Sequence, residues 1–433
     1  QDLGLSEFLY VLNIIIYIPK KRWYNILRGG IFIDKILNKK VIIIFLLSLT
    51  LLVMTSLFYF FLNTKDILLK TDLSCNFREE VYLKDFIYKL DGTLKNNYKI
   101  DTRKVGTQTV RAIYQDKHGF YKTKKFNIEV HDVTPPTILV NSEYTVTKGY
   151  DKRLEDEILC ADDYDDNVKC NITGSYNLDE VGIYPLTITA TDKYNNTKTV
   201  DFNLNVIDER NTEENSTVTP EEEQYTAYDE VYKKYKTENT LIGIDVSKWQ
   251  KDIDFDKLEK QNVEFIFIKI AGQREIDGEI TLDPKFKENI EEANKRNIKV
   301  GLYFYSYAKT PNEAKKQAQY IVKHIKKYKV ELPIAFDWEN WTEYNSFNLS
   351  FNSLNNIAAA FIEEIEKNGY DSLLYTSEYY LDTIWFAQDY NNVWVAKYGD
   401  LEYRDNYKLW QLCSDGKIDG IDAYIDIDVM YLN

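Results

Sequence analysis

The residues with the clearest chemical meaning are carboxylates that fall on one face of separate strand-like runs. In PIAFDWEN, residues 333–340, alternation turns Ile334, Phe336 and Trp338 to one side and Ala335, Asp337 and Glu339 to the other. Two carboxyl groups at i and i+2 share that face with Cβ atoms about 6 to 7 Å apart, a separation that suits general acid–base work. In IGIDVSKW, Asp245 lies opposite Ile242, Ile244 and Val246, and in AYIDIDVM, Asp426 and Asp428 lie opposite Ile425, Ile427 and Val429. A single such acid is more often a helix cap or an ion-pair partner than a functional group. Together they mean more, because charge on a buried face costs several kcal/mol unless it lines a wet pocket, and no Lys or Arg alternates with them to neutralise it.

Elements that could gather these acids follow from the apolar runs at 242–249, 265–271, 300–307, 333–338, 372–375, 393–398, 408–412 and 424–430. Helical periodicity separates the early runs, most clearly over 312–327, where Ala314, Ala318, Ile321, Val322 and Ile325 share a face. The last three runs leave no room for long crossovers. This predicts an eight-stranded α/β barrel with fewer helices than strands, a modified TIM-like fold, whose chemistry gathers at the C-terminal ends of its strands. Closure sets the eighth strand beside the first, so Asp426 and Asp245 are expected to be neighbours.

The 433 residues exceed what one core fills, and the chain reads as multidomain. A net charge of -15 argues against nucleic acid as a partner. His118, His131 and His324 are too few for a His-rich zinc site or a Ser-His-Asp hydrolase, the four cysteines contain no CxxC pair, and no histidine follows Cys413 to make it a nucleophile. Residues 41–62 carry no charge and are long enough to span a bilayer, with Lys20, Lys21, Arg22, Arg28, Lys35, Lys39 and Lys40 before them. The positive-inside rule then gives a single-pass membrane protein with its N-terminus cytoplasmic and the rest outside. Further on, Val105-Gly106, Asp116-Lys117 and Asp132 recur 76 positions later as Val181-Gly182, Asp192-Lys193 and Asp208, each copy with paired strand patterns. The expected organisation is a basic segment 1–40, a transmembrane helix 41–63, all-β repeats 67–133 and 134–208, an acidic linker 209–240 and the barrel 241–433. In CADDYDDNVKC, the acids Asp162, Asp163, Asp165 and Asp166 invite a calcium reading, but the run lacks the glycine and glutamate of an EF-hand loop. A solvated loop closed by Cys160 and Cys170 is the simpler expectation, and neither a metal nor any other cofactor is assigned.

Two resemblances add to this. The stretch VGIYPLTITATDKYNNTKTVDFNLNVID resembles the immunoglobulin-like sandwich modules of bacterial surface proteins. Residues 242–433 resemble glycoside hydrolase family 25, the lysozymes that cut the β-1,4 bond between N-acetylmuramic acid and N-acetylglucosamine in peptidoglycan, through GIDVSKWQ, YFYSYA, FDWE, WVAKY, LWQ and GIDAYIDIDVM in family order. That resemblance implies Glu339 as general acid, Asp245, Asp337 and Asp426 completing the site, and Asp428 in a position where the family varies. Asp337 is expected to raise the pKa of Glu339 by like-charge repulsion. Tyr303, Tyr305, Tyr307, Trp394 and Tyr398 are expected to contact sugar, with Trp410 and Gln411 of the LWQ piece. The chain departs from the family after the second strand, where KIAGQREID keeps Lys269 but displaces or loses an acid, with Glu275 the nearest. The implied protein is a membrane-anchored muramidase, and the alternative is an inactive wall-binding or adhesion protein.

Overall fold

The computed structural model describes residues 39–62, 66–208, 225–274 and 278–432. A helix runs over Lys39–Leu62, 24 residues, about 36 Å at 1.5 Å per residue. Its described side chains are apolar and largely exposed, among them Ile44, Phe45, Leu47 and Leu51. The expected span falls partly on side chains outside the described residues, and among the described residues no helix is long and apolar enough to cross a membrane.

The two repeats have the same sheet order. In the first, Gly92–Leu94, Gly106–Asp116, Tyr121–His131 and Ser74–Asn76 lie side by side, with Ile67–Leu69 and Ile87–Leu90 as a separate pair. In the second, Lys169–Thr173, Gly182–Thr191, Thr197–Ile207 and Glu143–Thr147 repeat that order, and Thr137–Leu139 pairs with Leu159–Ala161. Alternation explains the second core, where Leu186, Ile188 and Ala190 face Phe202, Leu204 and Val206 and the intervening threonines face solvent. Cys160 and Cys170 form a disulfide, so the loop carrying the acidic run is closed.

The C-terminal region is a closed barrel of eight strands: β1 Thr240–Val246, β2 Phe265–Gln273, β3 Lys299–Tyr305, β4 Ile334–Asp337, β5 Ser372–Ser377, β6 Val393–Ala396, β7 Tyr407–Ile418 and β8 Ile421–Tyr431. Strands β1 to β7 are parallel, whereas β8 returns from β7 as a hairpin and pairs antiparallel with both β7 and β1. The turn at Ile418–Ile421 includes Gly420 at φ 104°, a conformation that a side chain disfavours. No crossover helix is needed for an antiparallel return, which is why the last connection is short.

The predicted alternation is borne out. Ile334, Phe336 and Trp338 lie in the layer between strands and helices with Ile242, Ile244, Val246, Ile425, Ile427 and Val429. Ala335 lies in the inner layer with Leu241, Phe265, Phe267, Leu373, Trp394, Leu409 and Met430. Gly243 and Gly301 make room for two of those rings, because a Cβ at either would come within 2.6 Å of Phe265 or Phe267. The linker boundary needs correction: Thr226–Ala227 adds to β7 and the helix Tyr228–Tyr235 buries Tyr228 and Val231 on the barrel, where the Tyr228 hydroxyl donates to the Ile242 carbonyl at 3.2 Å. The signal for it in the sequence is an apolar pair at i and i+3 inside a polar stretch.

Candidate active site

The barrel sequence sets which residues point inward, and the register sets which of them meet. Asp245 lies opposite Asp426, and Gly243 opposite Asp428, across the β1–β8 seam. Asp337 is the last residue of β4, opposite Tyr305 of β3 and Tyr375 of β5. Just beyond it Trp338 is wholly buried in the outer layer, packed on Trp341, Tyr344 and Phe347, with its indole N–H donating to the Ala308 carbonyl at 3.3 Å. That anchor holds the backbone so that Glu339 stands exposed at the mouth.

A hydrogen-bond relay fixes part of the floor. The Tyr375 hydroxyl donates to Gln411 Oε1 at 2.9 Å, and Gln411 Nε2 donates to Asp245 Oδ2 at 2.8 Å. Beneath it Trp394 Nε1 donates to Asp428 Oδ1 at 2.8 Å. Asp428 is completely buried, and its Oδ2 has no hydrogen-bond partner among the described residues. None of Asp245, Asp337, Glu339, Asp426 and Asp428 has an ion pair within 4.0 Å among the described residues.

Burial and mutual repulsion therefore govern their protonation. Asp245 is pushed well up by burial first and then by Asp426 and Asp428, against the Gln411 hydrogen bond. Asp426 is raised to about 6 by burial. Asp337 is raised well above the carboxylate range by burial and then by Glu339, while Lys269 pulls it down. Glu339 is also raised, and the cause corrects the expectation: burial among the walls of the mouth lifts it, whereas its hydrogen bond with Asp337 favours its charged form.

Of the other expected contacts, Tyr303, Tyr305 and Tyr307 are half-buried and Tyr398 is exposed, all along the β3 and β6 ends. The Tyr303 hydroxyl is raised by burial and then by Asp245, with Ser247 acting the other way. Two placements are corrected. Trp394 is 1% exposed, with Phe267, Tyr375 and Tyr303 against its ring, so it lies below the acids and offers no face to a ligand. Trp410 points away from the barrel axis, where its N–H donates to the Lys397 carbonyl at 2.8 Å and its ring meets Tyr235. Alternation accounts for the second, since Gln411, its neighbour, faces inward. Glu275 lies outside the described residues. Two residues not expected at the site belong there: Tyr375, whose parity on β5 places it beside Asp337, and Lys269, whose ammonium sits 4.7 Å from the Tyr305 ring centre and favours the ionised acids.

Comparison with known proteins fits this geometry. Residues 244–421 match the model for glycosyl hydrolases family 25. Uncharacterized protein YegX of Escherichia coli (strain K12) is 26% identical over 196 residues, 44% of this chain and 69% of that protein. The autolytic lysozyme of Clostridium acetobutylicum is 23% identical over 191 residues, 43% of this chain and 55% of that protein. A family 25 glycosyl hydrolase structure from Bacillus anthracis has a TM-score of 0.39 at 28% identity, covering 46% of this chain and 90% of the other. The C-terminal barrel thus carries the match to family 25, and the protein is a glycoside hydrolase.

Proposed function

We propose that this protein is a membrane-anchored muramidase that cleaves the β-1,4 bond between N-acetylmuramic acid and N-acetylglucosamine of peptidoglycan on the outer side of the membrane. The observation that carries the reading is the Asp337–Glu339 pair at the end of β4 in a mouth shared with the Asp245–Asp426 seam, with no ion pair on any of the four among the described residues. Glu339 is the general acid: it reaches solvent, its pKa is raised, and it can give a proton to the leaving oxygen. Asp337 either orients the substrate's own N-acetyl group as internal nucleophile or positions water, and the carboxylates across the mouth stabilise positive charge at the sugar carbon. Tyr303, Tyr305, Tyr307 and Tyr398 supply aromatic contact with the glycan, and Gln411 holds Asp245 in place.

The apolar run 41–62 with basic residues before it supports a single bilayer anchor, N-terminus inside. The Cys160–Cys170 disulfide supports an oxidising, external location for the β modules and the barrel. Two immunoglobulin-like modules would then carry the barrel outward into the wall. Digestion of purified peptidoglycan with the wild-type chain and with Glu339→Gln, followed by mass analysis, tests the reading. New reducing ends bearing muramic acid are expected with the wild type and not with the variant. Equal digestion by both would remove Glu339 from the mechanism, and N-acetylglucosamine at the new ends would make the enzyme a glucosaminidase. Wall binding with no cleavage by either chain would favour the adhesion protein.

A further inference from the structure

A second group of acids lies outside the barrel, in the folded unit that includes residues 129–433. Asp132 follows the strand Tyr121–His131, Asp162 follows Leu159–Ala161, and Asp192 follows Gly182–Thr191. Their side-chain oxygens lie within 4.8 Å of one another. All three residues are more than nine-tenths buried, at 6%, 0% and 5% exposed.

Backbone amides hold one oxygen of each. Thr134 N–H donates to Asp132 Oδ1 at 3.1 Å, Tyr164 and Asp165 N–H to Asp162 Oδ1 at 2.9 and 2.8 Å, and Tyr194 and Asn196 N–H to Asp192 Oδ1, both at 2.8 Å. Asn196 Nδ2 donates to Asp192 Oδ2 at 2.7 Å and to the Asp132 carbonyl at 3.2 Å. The second oxygens of Asp132 and Asp162 are buried with no hydrogen-bond partner among the described residues, and no ion pair reaches any of the three acids there. Two bare carboxylate oxygens facing a third acid in a dry site are costly unless a cation or a proton sits among them.

We propose that Asp132, Asp162 and Asp192 form a binding site for one calcium ion. An all-oxygen, all-carboxylate set selects a hard cation over zinc or copper. Oxygens that all lie within 4.8 Å of one another can surround one centre at metal–oxygen distances of about 2.4 Å, as calcium takes, and calcium tolerates irregular carboxylate geometry where magnesium demands a near-ideal octahedron. Water completes the shell. The Asp132 carboxyl, lifted to about 7 by burial and then by Asp162, is the energetic sign of the same crowding. The ion would fasten residues 132–134 to the second module. Through Asp162, whose carbonyl accepts the Phe351 N–H at 2.8 Å, it would also stiffen the module's seat on the barrel helix Phe351–Lys367. Asp166 acts beside it without metal, accepting from Ser350 N–H and the Ser353 hydroxyl, both at 2.7 Å.

The test uses the full chain in detergent micelles, stripped with chelator and titrated calorimetrically with calcium chloride, and in parallel with magnesium chloride, while the melting temperature is followed. One calcium per chain is expected, with Kd no weaker than about 1 mM, a rise in melting temperature, and at least tenfold weaker magnesium binding. Asp162→Asn and Asp192→Asn, which keep an amide-accepting oxygen, should each weaken calcium binding at least tenfold. No heat and no melting shift in the wild type up to about 10 mM calcium, tenfold above the weakest extracellular sites, would overturn the proposal. So would calcium binding that both variants leave unchanged. Should either variant not fold, the wild-type titration and the other variant decide.

Discussion

The barrel mouth and the Asp132–Asp162–Asp192 group are both clusters of crowded carboxylates, yet they are built to opposite ends. At the mouth the exposed Glu339 and half-buried Asp426 stand over the buried Asp245, Asp337 and Asp428, donors such as Gln411 and Trp394 come from side chains, and Lys269 biases the charge from nearby. Where Asp132 meets the second module, backbone amides and the Asn196 side chain hold the acids in a closed site, with no side-chain cation within ion-pair range among the described residues. Openness lets the first cluster exchange protons with a substrate. Enclosure leaves the second nothing to do with a proton cycle, and favours a resident cation. Cluster composition alone would not separate them; the source of the hydrogen bonds and the access to water do.

The comparison breaks most sharply at Glu339. Glu339→Gln is expected to lower the rate of peptidoglycan cleavage by about 10²- to 10⁴-fold, the usual worth of a positioned general acid, without moving calcium affinity; a loss below tenfold would return the acid role to another carboxyl. The pH profile is the next largest effect. Glu339 must be protonated to act and its pKa is raised, so activity should be retained through the weakly acidic range. It should then fall about tenfold per pH unit above that pKa, and activity already fading from pH 4 upward would contradict the raised value.

Asp426→Asn sharpens the contrast through stability. Its folded pKa of about 6 exceeds the ordinary 3.8, so the folded state binds more protons than the unfolded one between those values, and stability falls as pH rises through that window. Removing the charge should therefore stabilise the chain at pH 7 by about 1 to 3 kcal/mol while lowering cleavage. A melting temperature that drops instead would mean Asp426 has a favourable partner. The smallest effect is expected from Asp166→Ala, which removes the anion at the start of Phe351–Lys367 and should cost about 1 kcal/mol in denaturant melts. No change there would mean the module's docking needs no charge.

Much of the barrel was legible because two periodicities reinforce each other. Ala335 inward with Ile334 and Phe336 outward, and Asp245 against Asp426, follow from alternation and from closure of eight strands. Alternation fixes the face of a residue but not its depth, which is why Trp394, expected to contact sugar, lies one layer beneath the acids and holds Asp428. It also says nothing of contacts between distant segments. Asp162 was visible as part of an acidic run, but its partners Asp132 and Asp192 stand 30 residues to either side, and only the fold of the module brings them together. The membrane anchor and the immunoglobulin-like character of the modules remain readings of sequence pattern.

The hairpin that returns β8 between β7 and β1 sets an order of events. A ribosome that stalled before Ile421, or a protease that cut there, would leave Asp337 and Glu339 in place with Asp426 and Asp428 gone from across the mouth. Within the barrel, the full set of acids is therefore made only after its first seven strands, and a copy broken off before Ile421 lacks the seam that faces Asp337 and Glu339.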